Sequence, residues 1–205
     1  MTVASLKTMT KTELDDIVKL HQQAFQGFFL EQMGAPFIKA YYSIVLAYGG
    51  SVAYVYVGKS GFVEGFVVGF VEPAVFYKKL IRSSLQLVFP ILSGMIHNPK
   101  LFFKMFENIR RVTSSESQSR PFVIDKETAE LSSIAVDSSA KGTGSLLIGA
   151  FLKDVWSRGL TNITLTTDYE DNELVNNFYI KHGFTRNGLE VRKGRKLWRY
   201  ILTKG

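Results

Sequence analysis

Over residues 129–202 the hydrophobic pattern switches repeatedly between a period of two and a period of 3.6, and a glycine closes each helical stretch. Residues 129–136 read as a strand and 142–158 as a helix stopped by Gly159. Residues 163–167 read as a strand, 171–182 as a helix stopped by Gly183, and 184–191 and 196–202 as two closing strands. Strand, helix and strand joined by such short links require a parallel pair with the helix as its crossover. The chain is therefore expected to be α/β (α+β), with a mixed central sheet flanked by helices.

The preceding residues complete that expectation. Thr10 to Leu14 carries a helix-capping pattern, with Leu14, Ile17, Val18, His21 and Phe25 at helical spacing. A second helix is expected over 36–47, stopped by Gly49 and Gly50. Residues 52–57 and 62–71 then read as an antiparallel hairpin around the turn 58–61. Between the third and fourth strands of such a sheet lies an unusual insert. Its apolar residues, from Phe76 to Ile109, recur at helical intervals and predict two amphipathic helices within 74–112, the second opening at Pro99. Residues 113–120 are serine-rich and read as a loop. The whole of 1–205 is expected to be a single domain.

Charge is concentrated in the insert. Lys78, Lys79, Arg82, Lys100, Lys104, Arg110 and Arg111 against Glu107 give it +6 of the chain's net +7. A nucleic-acid binder is not expected from so confined an excess. The insert's apolar faces need a surface to cover: the chain's own core, a second subunit in a homodimer, or a membrane face. Its cations suit an anionic substrate or a peripheral lipid contact. There is no cysteine, which removes disulfides, thiolate metal sites and a cysteine nucleophile together. His21, His97 and His182 are not spaced as ligands, so no metal is expected. No charged and apolar leader opens the sequence, and the apolar stretch 85–96 carries Pro90 and is too short to cross a bilayer, so a cytoplasmic location is expected.

Two stretches carry chemistry. In the first, a strand ending at Val136 runs through a short polar loop into Lys141-Gly142-Thr143-Gly144-Ser145 and a helix. Glycines let the main chain approach a ligand, and free amides at a helix start favour an anion such as a diphosphate. It is not a Walker A loop, because the lysine precedes the glycines. It is not a dinucleotide fingerprint, because Leu147 stands where the third glycine belongs. The second stretch, 171–184, contains Asn172, Phe178, Tyr179, Lys181, Gly183 and Phe184.

That second stretch closely resembles the second signature of the GNAT N-acetyltransferase superfamily. The first, through Val136, Lys141, Gly142 and Gly144, is similar to the superfamily's acetyl-CoA loop, and the two stand in the family's order. Ser138, Lys141 and Leu146 depart from the usual proline, arginine or glutamine, and small residue. Lysine keeps the charge but loses the planar fork. A narrower resemblance, to a bacterial subgroup associated with polysaccharide and amino-sugar gene clusters, rests on the insert, residues 27–30 and residues 176–179.

The resemblance implies a GNAT-like sheet and acetyl-CoA as cosubstrate. Backbone groups of Ile134, Ala135 and Val136 would pair with pantetheine. Lys141 and the amides of Gly142, Thr143, Gly144 and Ser145 would meet the diphosphate. Asn172 would hold the pantetheine arm or order its loop. Tyr179 would give a proton to the departing thiolate, as a phenol neutral at pH 7 can. Candidates for the base that removes the amine's proton are Glu130 and Asp168, the latter through water, with Ser132 on the side of Glu130 as a relay. Without cysteine the acetyl group passes directly to the amine. The acceptor is expected to be a small molecule such as an amino sugar, with a protein or peptide amine as the alternative. A non-catalytic acetyl-CoA-binding module remains a second class.

Overall fold

The computed structural model describes residues 3–83, 127–192 and 195–205. The chain opens with β1 (Ser5–Thr8), a single 3-10 turn (Lys11–Glu13) and α1 (Leu14–Ala24). A short α2 (Phe29–Gln32), α3 (Ala35–Leu46) and the hairpin β2 (Ser51–Val57) and β3 (Val63–Phe70) follow. Then come α4 (Pro73–Arg82), β4 (Thr128–Val136), α5 (Thr143–Ser157), β5 (Asn162–Asp168), α6 (Glu173–Lys181), β6 (Thr185–Arg192) and β7 (Arg195–Thr203). The alternation of strand and helix from β4 onward is the order expected from the sequence. The capping box is present: the Thr10 amide donates to Glu13 Oε2 at 2.8 Å. Strand β1 was not expected, because its four residues are all exposed and show no apolar alternation. Helix α4 is the start of the basic insert. Residues 84–126, which include its expected second helix and the serine-rich loop, lie outside the described residues.

The strands form one sheet in the order β1-β2-β3-β4-β5-β7-β6. Only the β4–β5 pairing is parallel, with α5 as its crossover. The core is split by the sheet. On its front face α1, α3 and α4 bury Ile17, Ile38, Tyr42, Phe66, Phe70 and Phe76. On its back face α5 and α6 bury Leu147, Phe151, Ile163, Tyr179 and Tyr200. Burying each such large side chain contributes about 1.5–3 kcal/mol. Helix α4 is fixed by Phe76, which stacks on Phe70 with ring centroids 3.6 Å apart. Close packing also explains a glycine of β3. A β-carbon at Gly69 would stand 2.2 Å from the Glu130 carbonyl and 2.5 Å from the Phe151 ring.

Candidate active site

β4 and β5 part company. They pair only through Thr128–Asn162, Ala129–Ile163 and Glu130–Thr164, although β4 continues to Val136 and β5 to Asp168. A bulge in β4 accompanies the split: Gly69 faces Leu131 and Val68 faces Ser133, so Ser132 is the extra residue. Bulges bend a strand and end regular pairing. Beyond Glu130 the β5-side edge of β4, including Ile134, Ala135 and Val136, pairs with no strand among the described residues. That edge fits an extended, amide-bearing chain such as pantetheine.

The bulge turns two consecutive serines toward the front. Ser132 faces Tyr41 of α3 and Ser133 faces Tyr42, and both phenols are held above their ordinary value by burial, Tyr41 to about 12. Tyr42 also meets His21 Nδ1 at 2.8 Å. Burial holds that imidazole down at about 4, so it is neutral at pH 7.

At the far end of the free edge, the loop after β4 turns into α5. The Asp137 carboxylate accepts from the Ser139 hydroxyl at 2.6 Å and from its amide at 2.9 Å, and those bonds hold its proton affinity down. This Asx turn fixes the bend of the loop at Ser138. Gly142 then caps α5 with φ at +84°, a left-handed conformation that favours glycine. Thr143 is buried, Gly144 is half-buried, and Lys141 and Ser145 are exposed. The first-turn amides of α5 thus sit at the end of the free β4 edge, a donor set that fits a diphosphate. Gly144 has a second role. A β-carbon there would lie 3.2 Å from the Phe178 ring, so the residue also lets α6 pack on α5. Leu146, which departs from the signature, is exposed.

Helix α6 sets Tyr179 in the back core. Its ring is buried against Phe184 and Tyr200, and its hydroxyl makes no hydrogen bond among the described residues. Burial, then the neighbouring Tyr200, push its phenol far above the ordinary value, so it stays protonated throughout the neutral range. Asn172 donates to Thr167 Oγ1 at 2.7 Å and to the Asp168 carbonyl at 3.3 Å, which orders the β5–α6 loop and leaves its side-chain oxygen for a ligand. Asn176 ties the same carbonyl to the Tyr200 hydroxyl.

The two candidate bases differ in their company. Glu130 is half-buried on the front face at the last rung before the fork, where it accepts from the Tyr77 hydroxyl at 2.6 Å. Asp168 ends β5, and both its oxygens are taken by Arg195 at 2.7 and 2.6 Å. Arg195 also lies over the Phe28 ring at 4.5 Å, joining the α1–α2 loop to β7.

The family model for the acetyltransferase (GNAT) family matches residues 14–184. The chain belongs to the GNAT family. It is an enzyme, an acyltransferase that takes acetyl-CoA as cosubstrate and passes the acetyl group to an acceptor. Solved GNAT folds agree over nearly the whole chain. An N-acetyltransferase from Staphylococcus aureus Mu50 superposes with a TM-score of 0.62 at 15% identity, covering 98% of this chain and 99% of that one. The ribosomal-protein-S18-alanine N-acetyltransferase from Escherichia coli gives 0.58 at 12%, covering 98% and 94%. Mutant forms of the spermidine/spermine N-acetyltransferase from Vibrio cholerae give 0.55 at 14%, covering 98% and 93%. No curated protein matches the sequence. At such identities the fold is shared and the acceptor is not inherited. Nothing in these likenesses singles out the amino-sugar subgroup.

Within this GNAT chain several neighbours had no sequence signal. Tyr77 reaches Glu130 from a helix roughly fifty residues earlier, and Arg195 reaches Asp168 from the neighbouring strand β7. His182 is half-buried on Phe178 and meets Ser145 Oγ at 3.1 Å, beside the turn into α5. Only three-dimensional packing joins these pairs. Among the described residues no group of His, Asp or Glu could hold a metal ion, and no helix is long and apolar enough to cross a membrane.

Proposed function

We propose that this acetyltransferase transfers acetyl from acetyl-CoA to the primary amine of a small molecule, such as an amino sugar, by direct attack in a ternary complex. The observation that carries the reading is the β4–β5 fork with the Glu130 carboxylate at its last rung on the front and the Tyr179 phenol in the back core. Pantetheine pairs with Ile134, Ala135 and Val136. The amides of Gly142, Thr143, Gly144 and Ser145, with Lys141, take the diphosphate. A β4 amide at the bulge polarises the thioester carbonyl.

The acceptor amine, a cation near pH 7 with an ordinary pKa of about 10.4, approaches from the front. Glu130 accepts its proton directly or through Ser132 and water. Asp168 is the weaker candidate because Arg195 occupies both its oxygens. The new C–N bond forms as the C–S bond breaks, and Tyr179 hydrogen-bonds and protonates the departing sulfur, regaining its proton through water. Helix α4, laid over Glu130 through Tyr77, supports a covered acceptor side and so a small substrate. The reading treats 1–205 as one cytoplasmic acetyltransferase domain with 74–112 as its insert. The test is acetyl-CoA consumption across amino sugars, polyamines, amino acids and peptides. Turnover with a small amine is expected. Turnover with peptides alone would overturn the substrate class, and coenzyme A binding without turnover on any amine would make the chain a binding module.

A further inference from the structure

The guanidinium of Arg199 stands apart from the other arginines around it. Arg158 is paired with Asp154, Arg186 bonds the Tyr200 hydroxyl and lies over Trp198, and Arg195 holds Asp168. Among the described residues the Arg199 guanidinium makes no hydrogen bond, and its Nε is buried without a partner. A buried donor left unpaired destabilises a fold unless something completes it.

The surroundings make room for this side chain. Opposite Arg199 the edge strand β6 bulges: Arg186 pairs with Tyr200 and Leu189 with Trp198, so two residues, Asn187 and Gly188, face one. Gly188 has φ at +122°, and a β-carbon there would come within 3.1 Å of the Arg199 guanidinium. The bulge and the glycine together form a niche that a larger residue would close.

Its position identifies the side it serves. Tyr200 and Trp198 pack into the back core with α6, so Arg199, between them on β7, belongs to the front. The diphosphate loop is on the back, with α5 and α6. Arg199 pairs with Thr166 of β5, whose side chain is exposed, just past the fork. Glu130 pairs with Thr164 and Thr164 with Ile201, so Glu130 and Arg199 are two strands and two residues apart, about 12 Å between α-carbons. A molecule of monosaccharide size bridges the two side-chain ends.

We propose that Arg199 is the anchor for an oxyanion, phosphate or carboxylate, carried by the acceptor, so that the substrate is a primary amine bearing an acid group at its far end. This rests on the acetyl-transfer reading above. A planar fork of donors suits both oxyanions. The amine is directed to Glu130 and the acid group to Arg199, which fixes which amine of a larger molecule reacts.

The experiment compares matched acceptors in the wild-type enzyme and in Arg199→Gln: glucosamine with glucosamine 6-phosphate, and propylamine with β-alanine. The two pairs separate phosphate from carboxylate. The wild type should favour the acid-bearing member of at least one pair by about 10- to 100-fold in kcat/KM. In Arg199→Gln that ratio should collapse towards one, with Arg199→Lys between. No preference in the wild type, or an unchanged ratio in Arg199→Gln, would overturn the proposal. A binding arm covers failure of the acetyl-transfer reading itself. With saturating coenzyme A, so that the α5 turn is filled, inorganic phosphate or acetate should raise the Tm of the wild type and not of Arg199→Gln. Equal shifts in both would overturn the anchor even if no amine supports turnover. Calorimetry with coenzyme A confirms that the variant folds.

Discussion

At the residue scale, burial decides what each ionisable group can do. Tyr179 is packed on Phe184 and Tyr200, so Tyr179→Phe keeps the volume and removes only the hydroxyl. Turnover should fall by about 10²–10⁴-fold, as for loss of a general acid. Coenzyme A affinity by calorimetry should stay within a few-fold, and unchanged turnover would remove the phenol from the reaction. His21 gives a stability test. Its folded value of about 4 lies below the ordinary 6.5, so the unfolded chain binds the proton more readily. Stability is therefore complete above about pH 6.5 and declines as pH falls towards 4, by about 3 kcal/mol in all. Glu13 acts lower down. Burial raises it, but Lys7, Thr12 and Thr10 outweigh that and hold it at about 2, so its contribution fades from about pH 4.5 downward. Thermal melts between pH 7 and 4.5 should show a loss that His21→Phe lacks.

At the element scale, the site depends on how β4 is held. Gly69→Ala would drive a methyl group into the Glu130 carbonyl and Phe151 at the rung where the fork opens. Such overpacking costs about 1–3 kcal/mol, and the Tm should fall together with turnover. If Tm fell and turnover at low temperature held, the spacing of β3 and β4 would not govern the base. Gly144→Val should weaken coenzyme A binding and also lower Tm, because its side chain meets Phe178. Elements were the most legible part of the sequence. From β4 onward each has a strong period and a glycine or loop at its end, whereas β1, four exposed residues without a period, and the single turn α2 escaped. Of the candidate site, the glycine turn into α5 was legible because neighbours in sequence form it. The partners Tyr77, Arg195 and Arg199 were not, since strand register and a bulge in β6 bring them in from distant segments.

At the scale of the whole molecule, the sequence's uneven charge acquires a direction. The insert's cations begin on α4, which touches the front of the fork through Tyr77, with Lys78 exposed and Lys79 bonded to the Ala47 carbonyl. An anionic acceptor should be steered to that side, so kcat/KM should decline as ionic strength rises past about 0.1 M, where the screening length is about 10 Å. Changing Lys78, Lys79, Lys100 and Lys104 to Glu should flatten or invert that dependence, and an identical salt profile in both proteins would assign the charge no steering role. The fork has a consequence for traffic. On the proposed reading coenzyme A would leave from the back of the fork and the acetylated amine from the front, so that neither must wait for the other. Coenzyme A should then compete with acetyl-CoA but not with the amine, and each product should be able to linger beside the opposite substrate in an abortive pair. An enzyme of this shape is throttled from whichever side its products accumulate.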